Sequence, residues 1–514
     1  MSAHAVVIGS GFGGLAAAVR LRVMGYRVTV LEALDQPGGR ARVFRRDGFT
    51  FDAGPTVITA PYLLEELFVL AGRSLSDYAT LVPVDPFYRV LFHDGSQFDY
   101  VGDEERLIQN IAAISPGDVD GYRKLAAHAE RIFDVGYTQL ADQPFHRAAD
   151  MMRVIPAMMR LESYRSVYGL VSKYIRDDRL RRVFTFEPLL VGGNPFTTTS
   201  IYLLIHWLER KWGVHFAMGG TTSLITALVQ LLTELDVEVR LDTAVTAIEV
   251  RNGTARAVET QTGEWIPCDI VVSNADPTHV YSHLISPQHL KKNAPRSVAR
   301  VRQSMSLFVA YFGATRQYPD IAHHTIVLGN RYKDLLDDVF RRRILADDFS
   351  LYLHAPTRTD PSLAPPGHEG FYVLSPVPNN KSGIDWNKEA NRYFARIVDE
   401  LEARVLPGIS NSLVSTSFMT PHDFEHTLRS ADGSAFGPEP ILTQSAYFRY
   451  HNRSGDVEGL YFVGAGTHPG GGVPGVLSSA RVLERIVPRP ASAEPLPARG
   501  ASSRSGAIIA MTGN

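Results

Sequence analysis

The sequence predicts an α/β protein: a Rossmann-type dinucleotide-binding domain interleaved with a discontinuous mixed α+β region. Two observations predict it. The first 32 residues contain a complete unit of strand, glycine turn, helix and second strand. Near the other end, Gly459–His468 reads as another strand running into glycines, with a helix following over Leu477–Ile486.

Ala5–Ile8 is a short unbroken apolar run, the pattern of a parallel strand covered on both faces. Gly9, Gly11 and Gly14 then form GxGxxG, and Leu15–Met24 reads as a helix. In this context Gly9 permits the tight turn, Gly11 lets a pyrophosphate approach the backbone, and Gly14 lets helix and strand pack closely. The free amides at the helix N-terminus suit phosphate. Arg27–Glu32 is the second strand and ends on an acid. Glu32 lies 23 residues after Gly9, near the ~20 expected for the acid that binds ribose hydroxyls. An acid there, instead of arginine, argues against a 2′-phosphate and so against NADP. GxGxxG by itself serves NAD as well as FAD.

Pro37–Arg42 begins five residues after the acid and contains Gly38, Gly39 and Arg40. As a bare pattern it is also compatible with a basic surface turn. It resembles the glycine-glycine-arginine extension of the flavoproteins with two dinucleotide-binding motifs, such as amine oxidases and carotene desaturases. The resemblance implies FAD. It places Arg40 against the pyrophosphate and flavin, with Arg42 a second candidate. Phe51–Pro55 is similar to that family's next strand and turn, beside the flavin.

Gly459–His468, which contains Gly464 and Gly466, and Pro469–Val476, which contains Gly475, form two successive glycine turns. Together they resemble the C-terminal signature of bacterial carotenoid desaturases of the phytoene desaturase type. The likeness covers most of the chain, through Leu189–Pro195, Ile205–Gly213, Ser350–Pro356 and Leu442–Phe448. It implies that Gly464, Gly466, Gly475 and Val476 stand at the flavin. It also implies that Val245, on the strand Glu238–Leu241 and its continuation, meets the adenine through its backbone. The implied reaction is stepwise dehydrogenation of phytoene through carotene intermediates to neurosporene or lycopene, with reduced flavin reoxidised by oxygen or a membrane quinone.

The remaining features bound this reading. Lys and Arg number 52 against 54 Asp and Glu, a net charge of −2, which gives no basic surplus for nucleic acid. A single cysteine, Cys268, excludes an intramolecular disulfide. No HExxH pair or other metal motif is present, so no metal is expected. The sequence shows no signal peptide and no apolar run long enough to span a bilayer. These point to a peripheral protein on the cytoplasmic face of a membrane. The FAD-binding domain is expected to comprise residues 1–60, 217–285 and 455–487, and the substrate region 61–216 and 286–454, with 488–514 a disordered tail.

Residues 147–182 carry nine Lys and Arg against four Asp and Glu, beside Met151, Val154, Ile155, Met158, Met159 and Leu161 at helical spacing, broken at Pro156. An apolar stripe with a basic rim fits a helix on a lipid surface; a core helix with solvated arginines fits as well. Hydrocarbon substrate offers nothing polar to grip, so shape and the flavin must dominate. Proton handling falls to Asp150 with Arg153, three apart on one helical face, to His468 in the glycine signature, or to no residue at all. A surface ion pair and a structural turn residue are the alternatives for these positions. On the same scaffold stand sister carotenoid desaturases, carotene isomerases, amine oxidases and non-enzymatic prenyl-lipid carriers. The last have no need of the Gly38, Gly39 and Arg40 grip.

Overall fold

The computed structural model describes residues 3–497. Strand β1 (His4–Ile8) is buried along its whole length. Helix α1 begins at Phe12, not Leu15, and runs to Val23. Gly13 and Gly14 thus lie in its first turn, which seats it hard on the strand: a β-carbon on Gly14 would fall 1.9 Å from the Gly9 carbonyl oxygen. All but one residue of α1 are buried, because the helix is covered by the sheet on one side and by other helices on the other. Strand β2 (Arg27–Leu31) follows.

Strands β3 (Glu238–Arg240), β4 (Ile270–Ser273) and β5 (Leu460–Phe462) complete a five-stranded parallel sheet in the order β5-β4-β1-β2-β3. Val7 pairs with Val30 on one side and Val272 on the other. The sheet therefore draws on the beginning, middle and end of the chain. Helix α2 (Tyr62–Leu70) buries Leu63, Leu64, Leu67 and Phe68 in the same core as α1, just beyond the expected boundary at residue 60.

Val245 does not continue the strand at Glu238. The chain turns at Asp242, with φ of 49°. Thr243 and Asp242 donate backbone hydrogen bonds to Glu32 and Leu34. Val245 then opens a separate antiparallel sheet formed by Val245–Arg251, Thr254–Thr260 and Trp265–Pro267.

A third, seven-stranded sheet has Ser306–Ala314 and Glu369–Val377 near its centre and Tyr88–Leu91 and Gln97–Tyr100 at one edge. Side chains alternate across it. Phe308, Ala310 and Phe312 pack against the helix Trp386–Arg404, while Leu307, Val309 and Tyr311 face the opposite core.

Helix α3 (Ala148–Arg160) passes through Pro156 without a break. Pro156 and Met152, whose carbonyl loses its amide partner, are both exposed, so solvent satisfies the freed group. Helix α4 (Leu204–Trp212) buries His206, Leu208 and Glu209. Helix α5 spans Val473–Ile486, so Gly475 and Val476 lie in its first turn and not in the preceding loop.

The start of the expected tail is ordered. Arg22, buried in α1, donates to the carbonyls of Leu235, Glu494 and Pro495 at 2.8, 2.9 and 2.6 Å. Tyr26 donates to Pro488 and the Glu494 amide to Gly25. A buried guanidinium needs acceptors, and the segment supplies them. Residues 498–514 of that expectation lie outside the described residues.

Candidate active site

One continuous cavity of about 640 Å³ runs from the glycine turns of the parallel sheet to the inner face of α3. Gly9, Gly11, Glu32, Gly38, Gly39, Arg40, Val245, Gly475 and Val476 all line its polar end. Gly14, Gly464 and Gly466 stand behind that wall. Their role is close packing: β-carbons on Gly464 and Gly466 would fall 2.5 Å from Asn274 Oδ1 and 2.3 Å from Pro277 Cδ.

Glu32 closes β2 and is buried. One carboxylate oxygen accepts from the Ser10 amide at 2.8 Å and the Ser10 hydroxyl at 2.7 Å; the other accepts from the Leu34 amide at 3.0 Å. Ser10 therefore fixes the acid, a role that the variable positions of GxGxxG gave no reason to assign. Asn274 is the second residue that the motif alone misses. Its amide wedges among the glycines, 2.7 Å from where a Gly11 β-carbon would stand and 2.5 Å from one on Gly13. In the sequence, Ile270–Asp276 is an apolar run followed by polar residues, a pattern that marks the neighbourhood but not the contact.

Arg40 donates to Ser430 Oγ at 2.5 Å, and its Nε has no hydrogen-bond partner among the described residues. Burial lowers its proton affinity, opposed by the carboxylate of Asp276. Arg42 lies over Phe44 at 4.7 Å, with its Nε also without a partner. Two guanidiniums with open donors, a glycine cradle that a side chain would fill and a buried acid are the groups that a dinucleotide with a pyrophosphate requires. The residues fit the group. Buried Arg449 braces the far side of the cradle by donating to the carbonyls of Thr467 and Ala465 at 3.1 and 2.6 Å.

Beyond this end the wall becomes apolar. Leu190, Val191, Ile201 and Ile205 line one side, and Leu307, Val309, Leu374 and Met419 of the seven-stranded sheet the other. Met151, Val154, Ile155, Met158 and Met159 of α3 close the outer end. No residue of α3 is buried. Met159 is 57% exposed and Ile155 38%, although both line the cavity. The helix is thus neither a core helix nor an isolated surface helix; it is a thin wall between the cavity and the outside. Exposed Met152, Tyr164, Leu442 and Phe448 extend the apolar patch.

Asp150 and Arg153 are not brought to the cavity wall. Both lie off the face of α3 that lines it. Asp150 accepts from the Arg147 amide at 3.1 Å and caps the first turn, the usual work of an acid at that position. Replacing Asp150 by Asn is expected to leave turnover within about threefold of wild type with flavin retained; a loss of two orders of magnitude would restore it as an acid–base group.

His468 does reach the wall. Its ring nitrogen Nε2 lies 3.2 Å from the Leu140 carbonyl, and Phe145 packs edge-on at 4.9 Å. Burial pulls its pKa down to about 4, against the opposing Leu140 contact, with Arg449 adding to the depression. It is a neutral imidazole and a weak proton acceptor.

The pattern of the flavin-containing amine oxidoreductases matches residues 12–482. The chain is 49% identical over 483 residues to a lycopene-forming phytoene desaturase of Pseudescherichia vulneris, covering 94% of this chain and 98% of that protein. It is 43% identical over 491 residues to the neurosporene-forming phytoene desaturase of Rhodobacter capsulatus, covering 94% of each. An oxidoreductase structure from Methanosarcina mazei superposes with a TM-score of 0.65 at 16% identity, covering 94% of this chain and 100% of that one. Putrescine oxidase bound to putrescine gives 0.63 at 15% identity, covering 95% and 100%. These two structures share the fold.

Proposed function

Because this chain belongs to the flavin-containing amine oxidoreductase family, and within it to the phytoene desaturases, we propose that it desaturates phytoene stepwise to neurosporene or lycopene with FAD as its cofactor. The observation that carries this reading is the single cavity with a dinucleotide receptor at one end and an apolar wall along the rest. When bound, the flavin supplies the electron sink, accepting a hydride from the hydrocarbon. Arg40 and the amides at the N-termini of α1 and α5 would hold its phosphates and polar edge, and Glu32 its ribose. Leu307, Val309 and Met419 hold the chain by contact alone and exclude water, because a polyene offers no hydrogen-bonding group.

The product test is purified protein with FAD and phytoene in liposomes, with carotenes resolved by chromatography. Neurosporene or lycopene is the expected product, and phytoene returned unchanged would reject the assignment. Oxygen and a quinone, added separately under otherwise anaerobic conditions, distinguish the two candidate acceptors.

Substrate reaches the cavity from lipid through α3. No helix among the described residues is long and apolar enough to cross a membrane. The exposed Met152, Ile155 and Met159 lie beside Arg153 and Arg160 on α3, with Leu442 and Phe448 adjoining. This arrangement suits the boundary of an anionic bilayer. Each arginine near such a surface contributes about 1 kcal/mol, and Arg165 less because it pairs with Glu162 at 2.6 Å. Replacing Arg153, Arg160 and Arg165 by Gln is expected to lower flotation with anionic liposomes by about 10- to 100-fold; unchanged flotation would remove the docking surface from the reading.

A further inference from the structure

The acids lining the cavity are Glu32 and Asp276 at the polar end and, among hydrophobic side chains, Glu209. Glu209 is 1% exposed. Its Oε1 accepts from the Tyr88 hydroxyl at 2.6 Å, while Oε2 has no hydrogen-bond partner among the described residues. Behind it is Glu187, fully buried, with neither carboxylate oxygen hydrogen-bonded. Nδ1 of His206 lies 3.4 Å from Glu187 Oε1, and the same nitrogen lies 2.9 Å from the Tyr100 hydroxyl.

This cluster is assembled from several elements. His206 and Glu209 share one face of α4, Tyr88 and Tyr100 come from neighbouring strands of the large sheet, and Glu187 comes from the turn Glu187–Val191. Arg210, the remaining charge facing it, spends its guanidinium on the Val101 carbonyl at 2.7 Å. Buried polar atoms are nearly always partnered, and leaving carboxyl oxygens bare is a configuration that hydrophobic packing alone does not require.

A relay of contacts links the cluster to the cofactor end. Tyr88 is an electrostatic neighbour of both Glu209 and Tyr352. Tyr352 lines the cavity and lies 2.6 Å from Thr56 Oγ1 in the segment that follows Gly54. Gly54 in turn packs on the backbone of Arg40.

The geometry points to Glu209 as the proton acceptor of the desaturation, an assignment that rests on the chain being a phytoene desaturase. Each desaturation removes two hydrogens from adjacent carbons. One leaves as hydride with both electrons of its bond, to the flavin. The other leaves as a proton to Oε2 of Glu209, and its bonding pair becomes the new π bond. Burial raises the proton affinity of both carboxyls, and the nearness of Glu187 raises that of Glu209 further, against the hydrogen bond from Tyr88. Two buried carboxyls near one another do not both ionise readily, so the pair takes up the proton at Glu209 when that carboxyl carries the negative charge, which the arriving proton neutralises. No further reactant is needed. His468, the other titratable group on the wall, is held near 4 and is the poorer acceptor.

The test compares wild type, Glu209→Gln and Tyr88→Phe with FAD and phytoene in liposomes. Glu209→Gln is expected to bind FAD at wild-type stoichiometry and lose about 10²- to 10⁴-fold in turnover. Its infrared difference spectrum against wild type, in the cofactor-free protein, should show the loss of one buried carboxylic acid component, with those of Asp52 and Glu187 remaining. Tyr88→Phe removes the one hydrogen bond to the carboxylate and is expected to move the ionisation limb of the rate profile to higher pH. This second variant carries the test if the Gln protein fails to hold FAD. Turnover within threefold for Glu209→Gln, or an unmoved pH limb for Tyr88→Phe, overturns the role of Glu209 while leaving the phytoene assignment standing. Wild-type protein that returns phytoene unchanged overturns that assignment and this one with it.

Discussion

Replacing Gly14 by alanine is expected to give protein that emerges from purification with less than about a tenth of the flavin that wild type carries. The new β-carbon would stand 1.9 Å from the Gly9 carbonyl oxygen. Neither group is a flexible side chain that turns aside; both belong to backbone that the sheet and α1 hold rigid. The helix must therefore back away from β1, which carries its N-terminal amides away from the polar end of the cavity. Overpacking of this kind costs about 1–3 kcal/mol, so Tm should fall as well. The flavin-to-protein ratio after denaturation is the measurement, with circular dichroism as the control for folding. Near-stoichiometric flavin in the variant would show that α1 tolerates the shift and that the amide cradle is not what holds the cofactor.

Replacing Glu32 by alanine is the second large effect expected. The carboxylate now accepts three hydrogen bonds, two from Ser10 and one from Leu34. Its loss leaves those donors stranded in a buried corner. It also deletes the acceptor that the family resemblance assigns to the ribose. Hydrogen bonds to a charged group contribute about 1.5–3 kcal/mol each. Two lost to the ribose correspond to a weakening of FAD binding by about 10²-fold or more, at ~1.4 kcal/mol per tenfold. Titration of apoprotein with FAD, followed by flavin fluorescence, measures it. Glu32→Gln should fall between wild type and Glu32→Ala, since the amide still accepts one bond but carries no charge. An affinity for Glu32→Ala within threefold of wild type would mean that the ribose is held elsewhere.

What was legible in the sequence was what chain neighbours determine. GxGxxG, Glu32 and the Gly38–Arg40 turn depend on backbone geometry over a few residues, and all but Gly14 of these line the cavity. The C-terminal glycines were less transparent, because a turn that lines a site and one that packs behind it look alike in sequence. Gly475 lines the cavity and Gly466 packs on Pro277. Asp150 misled for the converse reason. An acid three residues from an arginine in an apolar stretch suggests proton handling or a surface ion pair, but Asp150 sits at the first turn of a helix, where its work is to cap. Asn274, Ser10 and Glu209 draw their meaning from partners far along the chain or in unrelated segments, and no spacing rule reaches them. The strand Ser306–Ala314 carries no apolar–polar alternation to say which face meets the cavity, since all nine of its residues are buried.

The parallel sheet also sets an order of events during synthesis. Strand β1, which starts at His4, leaves the ribosome first, but its sheet stays incomplete until β5, which starts at Leu460, has been made. At ~5–20 residues per second, the roughly 450 residues between them take about 20–90 s. Throughout that interval the face of α1 that α5 will cover is bare apolar surface, and once residue 273 has been made the edge of β4 is unpaired as well. The nascent chain is thus a client for chaperones before it is a receptor for flavin, and cofactor capture belongs to the last step of folding, when the C-terminal helix closes over the site.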